Sequence, residues 1–190
     1  ELYPDQNFVL VDEELKDASN VKSILFKAEE SAYLAGLIAG KTTKTNNVGF
    51  IGGMESPVIS KFDYGFRAGV KAANPDAEVM VQYANSFTDS ALGKTIANQM
   101  HSKNADIIFT CAGAVGIGAI EAAKENGKKA IGVDQDQNSL APENVITSAM
   151  KNIDVSVEEM LSKVVDGSYK GGEIIVNTLA MNGVGIPQSS

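Results

Sequence analysis

The stretch Asp106–Val133, DIIFTCAGAVGIGAIEAAKENGKKAIGV, decides the fold. Asp106 to Thr110 is an apolar run with β-branched residues, short enough for a buried strand. Val115 to Lys124 follows with apolar residues at helical spacing, and Gly127 stops it. Lys129 to Val133 is a second apolar run. A strand, a helix and a strand in this order form a right-handed crossover, which lays two parallel strands side by side under one helix.

The same alternation extends in both directions. Upstream, Asn7 to Asp12, Val21 to Phe26, Asn47 to Ile51 and Glu78 to Tyr83 read as strands. Glu29 to Ala39 reads as a helix stopped by Gly40, Val58 to Ala73 as one ended by Asn74-Pro75, and Asp89 to His101 as a third. Downstream, Val145 to Met150 is a strand, Asp154 to Val165 a helix and Glu173 to Leu179 a closing strand. Strands separated by helices predict an α/β fold: a Rossmann-like parallel sheet with helices on both faces.

Composition sets outer limits. With 190 residues, 44% hydrophobic and 21% charged, the chain resembles an ordinary globular α/β protein of one or two domains. A net charge of -8 argues against nucleic acid or an anionic membrane surface as partner. No run reaches the roughly 18 apolar residues of a membrane span. The N-terminus lacks a basic segment followed by an apolar one, so no signal peptide is read there, and export remains open. One cysteine and one histidine supply too few ligands for a structural zinc site. Cys111 lies in an apolar run and reads as a small buried hydrophobe. His101 reads as a solvent-facing helix residue.

In a parallel sheet, ligands bind beyond the carboxyl ends of the strands. Four such ends carry unusual residues. Gly52-Gly53-Met54-Glu55-Ser56-Pro57 is a glycine-opened approach to a helix. Ala84-Asn85-Ser86-Phe87-Thr88-Asp89 sets a large aromatic in a polar loop, where it faces a ligand or packs as a lid on its own lobe. Thr88 or Asp89 caps the next helix. Ala112-Gly113-Ala114-Val115-Gly116-Ile117-Gly118 is glycine-rich but fails the spacing of both phosphate-loop motifs. Its glycines suit close helix packing and leave backbone N–H groups for a neutral ligand. Gly132-Val133-Asp134-Gln135-Asp136-Gln137 places two acids and two amides together. A carboxylate there accepts two hydroxyl hydrogen bonds from a sugar or polyol. Asp136 has a second reading as a turn cap, and paired acids also suit acid–base work or Mg²⁺. Lys151, where a strand gives way to a helix, is either solvated or paired with Asp134.

Several of these segments together resemble the basic membrane lipoproteins, the purine nucleoside receptor family. Phe26 to Gly36 is similar to that family's F-x-x-x-E-x-x-Y-L-A-G segment. Gly49 to Met54, Phe62 to Asn74, Gly132 to Gln137 and Thr147 to Asn152 match it in order, across nearly the whole chain. The resemblance implies a type I periplasmic binding protein with two Rossmann-like lobes clamping a ligand. It implies Phe87 stacking on a purine, the backbone at Gly113 touching the nucleoside, Asp134 taking the ribose hydroxyls and Lys151 assisting. Gln135 departs from the small residue usual between the two acids. It also implies no cofactor, permease subunits of an ABC importer as partners, and an extracytoplasmic place held by a lipid anchor absent from this chain.

On that resemblance the chain is expected to be a fragment: residues 1–26 a remnant of the N-terminal lobe, 27–151 the C-terminal ligand-binding lobe, and 152–190 a return segment. The strands Phe8–Val11 and Ile174–Thr178 are then expected to pair with each other or with a neighbouring chain. A sugar or autoinducer receptor of the same fold, the ligand-sensing core of a regulator, and an enzyme acting through Asp134 and Asp136 are the alternative readings.

Overall fold

The computed structural model describes residues 3–188. The elements are β1 (Phe8–Val11), β2 (Val21–Phe26), α1 (Ala28–Thr42), β3 (Asn47–Gly52), α2 (Pro57–Ala73), β4 (Glu78–Tyr83) and α3 (Ser90–Ser102). They continue with β5 (Ile107–Cys111), α4 (Ala114–Glu125), β6 (Lys129–Asp134), β7 (Val145–Lys151), α5 (Ile153–Val165), β8 (Ile174–Asn177) and β9 (Val184–Gly185). The chain divides into two compact units, one of residues up to Lys27 with Asn152–Val184, the other of Ala28–Lys151 with the residues from Gly185 on.

In the larger unit the strands run in the order β4-β3-β5-β6-β7, all paired parallel. Alternate strand residues feed two cores, as a sheet covered on both faces requires. Val48, Phe50, Ile107 and Phe109 pack with Phe62 and Phe66 of α2 and the alanines of α1. Ile51 and Ile108 point the other way, to Ile96 of α3 and Val115 of α4. Phe109 anchors the first core, with ring centroids 5.6 Å from Phe50 and 5.0 Å from Phe66.

Gly40 does not stop its helix. α1 runs on to Thr42, and a Cβ at Gly40 would stand 2.8 Å from the Val70 carbonyl oxygen of α2. Gly36 and Gly69 likewise lie against the Phe66 and Tyr33 carbonyls of the opposite helix. These glycines let two backbones approach at a helix crossing, a use that a sequence pattern does not separate from a helix stop. Asp89 caps its helix as expected, its Oδ1 accepting from Leu92 N–H at 2.9 Å, and Ser56 Oγ caps α2 by accepting from Ile59 N–H at 3.3 Å.

In the smaller unit β1 and β8 both pair with β2, in the order β1-β2-β8 and parallel throughout. The expected pairing of β1 with β8 is therefore corrected, because β2 lies between them. Ile24 and Phe26 of β2 form its core with Met160 of α5 and Val184. β8 is shorter than the closing strand expected over Glu173 to Leu179. It ends at Asn177, and Thr178 caps a 3-10 turn over Leu179–Met181.

His101 is also a correction. It is buried at 8% exposure, and its Nδ1 lies 3.0 Å from the Ala105 carbonyl oxygen. A carbonyl only accepts, so Nδ1 carries the proton. Nε2 is buried without a partner among the described residues. Burial pushes the His101 pKa down; the Ala105 bond and Asp106 oppose this and Lys128 reinforces it. The folded chain thus holds a neutral imidazole that the unfolded chain protonates around its ordinary pKa of 6.5. Stability from this group is present above that value and is lost as pH falls through it toward the lower folded pKa. Urea unfolding between pH 7.5 and 5 should show His101→Gln losing less stability on acidification than the parent. Equal slopes would contradict the assignment.

Candidate functional site

From β3 the chain steps outward to β4, then returns to the other side of β3 to form β5, and goes on to β6 and β7. This reversal falls between β3 and β5, and the carboxyl ends of strands at such a point are where open α/β sheets take ligands. The four residues singled out by the sequence all stand on this edge, within the larger unit.

Gly113 follows β5 as the N-cap of α4, at φ 56 and ψ -127, a conformation open to glycine and strained for L residues. A Cβ there would lie 2.8 Å from the Phe87 carbonyl oxygen, and that oxygen accepts a 2.8 Å hydrogen bond from Ala114 N–H. The turn after β5 is thereby tied to the loop after β4. The same loop is braced internally, since Ser86 Oγ accepts from Thr88 N–H at 3.2 Å and Asp89 N–H at 3.3 Å.

The Phe87 ring rests directly on Gly53, where any side chain would displace it. Gly53 N–H in turn donates to the Cys111 carbonyl at 3.0 Å. Phe87 remains 40% exposed on this seat. A flat apolar ring is held on a glycine shelf, with much of its surface open.

Asp134 ends β6 in the left-handed region at φ 65, which Asp tolerates better than most residues. Its side chain is 55% exposed, whereas that of Lys151 at the end of β7 is 5% exposed, with Nζ 3.9 Å from Asp134 Oδ1. The lysine is therefore not solvated. It is a buried cation aimed at an open carboxylate, in charge contact beyond hydrogen-bond length.

Asp136 and Gln137, also after β6, have structural employment. Asp136 Oδ1 accepts from Asn138 N–H at 3.0 Å, as a turn cap. Gln137 folds back on the sheet: its Oε1 accepts from Val133 N–H at 3.0 Å, and its N–H donates to Ser148 Oγ at 3.1 Å. Burial raises the Cys111 thiol pKa well above its ordinary value, with Asp134 reinforcing and Lys151 opposing, so the thiol stays protonated and unreactive. The structure thus joins Phe87 to Gly113 and Asp134 to Lys151, and takes Asp136 out of the acidic pair. Sequence reasoning missed Gly53 as the ring's seat and Gln137 as a brace, since a glycine pair and an amide look alike whether or not they are packed.

The family described as ABC transporter substrate-binding protein, PnrA-like (Bmp), matches residues 1–190. The chain belongs to this family. Among Bmp relatives, it is 43% identical over 198 residues to the ABC transporter nucleoside-binding protein BmpA of Lactococcus lactis subsp. cremoris (strain MG1363), covering 95% of this chain and 56% of that one. It is 41% identical over 175 residues to basic membrane protein B of Borreliella burgdorferi (strain ATCC 35210 / DSM 4680 / CIP 102532 / B31), covering 90% and 51%. A solved ABC transporter solute-binding protein from Aeropyrum pernix K1 superposes with a TM-score of 0.93 at 31% identity, over 98% of this chain and 55% of that one. The chain spans about half the length of the curated relatives it matches. This Bmp chain therefore shares its fold with solute-binding proteins of ABC transporters.

Gly113→Ala should cost about 1–3 kcal/mol of stability, from forbidden backbone and the clash with the Phe87 carbonyl. Gly127→Ala is the control: Gly127 also has positive φ, at 62, but nothing lies within 4 Å of its Cβ position. Chemical denaturation of both variants should rank Gly113→Ala as the more damaging. The reverse order would contradict the tie between the two loops.

Proposed function

We propose that this chain carries the C-terminal ligand-binding lobe, with part of the N-terminal lobe, of a substrate-binding protein that captures a purine nucleoside outside the cytoplasm and delivers it to the permease subunits of an ABC importer. In this reading the unit Ala28–Lys151 is the ligand-binding lobe and the smaller unit belongs to the N-terminal lobe. The complete protein is tethered to the membrane by a lipid anchor. The observation that carries the reading is the pairing of two different chemistries along one sheet edge, a half-open aromatic on a glycine shelf and an open carboxylate backed by a buried lysine.

Each half matches part of a nucleoside. The Phe87 ring offers its π face to a planar base. Asp134 accepts hydrogen bonds from the vicinal ribose hydroxyls, and Lys151 adds a donor. Turn backbone at Gly113 contributes polar contacts between them. The printed name of the Lactococcus lactis relative, a nucleoside-binding protein, supports this choice of ligand. A sugar or autoinducer receptor is the second reading, because Asp134 suits any polyol. The exposed Phe87 favours the flat base.

In the complete receptor, Asp134→Asn and Asp134→Ala should weaken ribonucleoside binding by about 2 kcal/mol or more, the scale of hydrogen bonds to a charged group. Binding of the corresponding free base should change far less. Calorimetry with both ligands checks this, and equal losses for base and nucleoside would sink the ribose assignment. Asp134→Asn keeps the side chain's shape, so a loss seen only in Asp134→Ala would also count against the charge.

A further inference from the structure

We propose that Asp63 is a positioning residue for the ligand site, acting through Tyr83 and the Gly52-Gly53 shelf to hold Phe87 in place. The inference rests on the reading of Phe87 as a stacking platform and extends it to residues behind the platform.

Asp63 sits on α2 between Phe62 and Phe66, both fully buried, and is itself 5% exposed. Burying a carboxylate in such a core is costly unless it is paired and hydrogen-bonded. Arg67, one turn on, supplies the pairing, with Nε 2.7 Å from Oδ1 and Nη2 3.1 Å from Oδ2. An apolar residue would have packed there without needing a partner, so the acid implies a further use.

That use is the end of β4. Tyr83, its last residue, sends its hydroxyl 3.4 Å from Asp63 Oδ2. Its ring lies over Gly52, 2.6 Å from where a Cβ would stand, and edge-on to Phe50 at 6.2 Å. Ala84 N–H then donates to the Gly52 carbonyl at 2.9 Å. Gly53 comes next, and the Phe87 ring rests on it. Asp63, Tyr83, Gly52, Gly53 and Phe87 thus form one unbroken chain of contacts from the helix layer to the ligand edge. Burial pushes the Tyr83 phenol pKa up, and Asp63 adds to the shift against an opposing hydrogen bond with Ser60, so the hydroxyl stays protonated and able to donate.

A purely structural ion pair between Asp63 and Arg67 makes a different prediction, and a double-mutant cycle separates the two. Adenosine and guanosine binding would be measured by calorimetry on the complete receptor as parent, Tyr83→Phe, Phe87→Ala and the double variant. Tyr83→Phe removes only the hydroxyl and leaves the ring on Gly52. With Phe87 present it should weaken binding about three- to tenfold, the worth of one hydrogen bond. In the Phe87→Ala background, itself weakened on the order of tenfold or more, the same change should matter less than twofold. Asp63→Asn, which keeps the size of the side chain, should behave in the same way. An equal factor in both backgrounds, or no effect of Tyr83→Phe, overturns the positioning role while leaving the stacking reading intact. Parent-like binding by Phe87→Ala overturns both.

Discussion

Three backbone hydrogen bonds lock the carboxyl edge of the larger unit's sheet. Gly53 N–H donates to Cys111, Ala84 N–H to Gly52, and Ala114 N–H to Phe87. Each joins the segment after one strand to another strand or loop on the same edge. Parallel pairing brings β3, β4 and β5 to a common carboxyl end, and these bonds carry the order of the sheet into the loops beyond it. The cost is borne by glycine. Gly53 and Gly113 sit where a side chain would strike Phe87, and Gly52 where one would strike Tyr83. An aromatic ring can therefore be held at the surface without a core to enter.

Charge is organised around the same edge. The chain as a whole carries a net charge of -8, yet its buried lysine at the end of β7 faces one open carboxylate at the end of β6. A buried ammonium that keeps a partner at 3.9 Å fixes the sign of the site without closing it. The adjacent thiol of Cys111 is kept neutral by burial, and Asp136 is committed to a turn. What remains open to a ligand is an acceptor at one place and a ring face at another. That combination suits recognition by hydrogen bonds and stacking.

Much of this was legible in the residues. The alternation of β-branched runs with amphipathic stretches located the strands and helices of the larger unit, because both periods are strong there. Phe87 stood out as an aromatic in a polar loop, and Asp134 and Lys151 as charges at strand ends. The failures share one cause. Gly40 inside α1, His101 in the core and Gln137 folded onto the sheet all depend on which neighbour lies across the interface. A local pattern carries no such information: Gly40 meets Val70, His101 meets Ala105, and Gln137 meets Val133 only after the layers have packed. Asp63 was overlooked for the same reason, since a lone acid in an amphipathic helix reads as solvated.

The account's central claim is that the edge bearing Phe87 and Asp134 receives a base and a ribose as one molecule. A thermal-shift comparison of the complete protein with purine nucleosides, the free bases, and ribose or other simple sugars tests this most directly, because a ligand that binds only the folded state raises the unfolding midpoint with its affinity. The account predicts that nucleosides raise the midpoint well above either component alone at the same concentration. A full shift from a sugar alone, with no gain from the attached base, would contradict it.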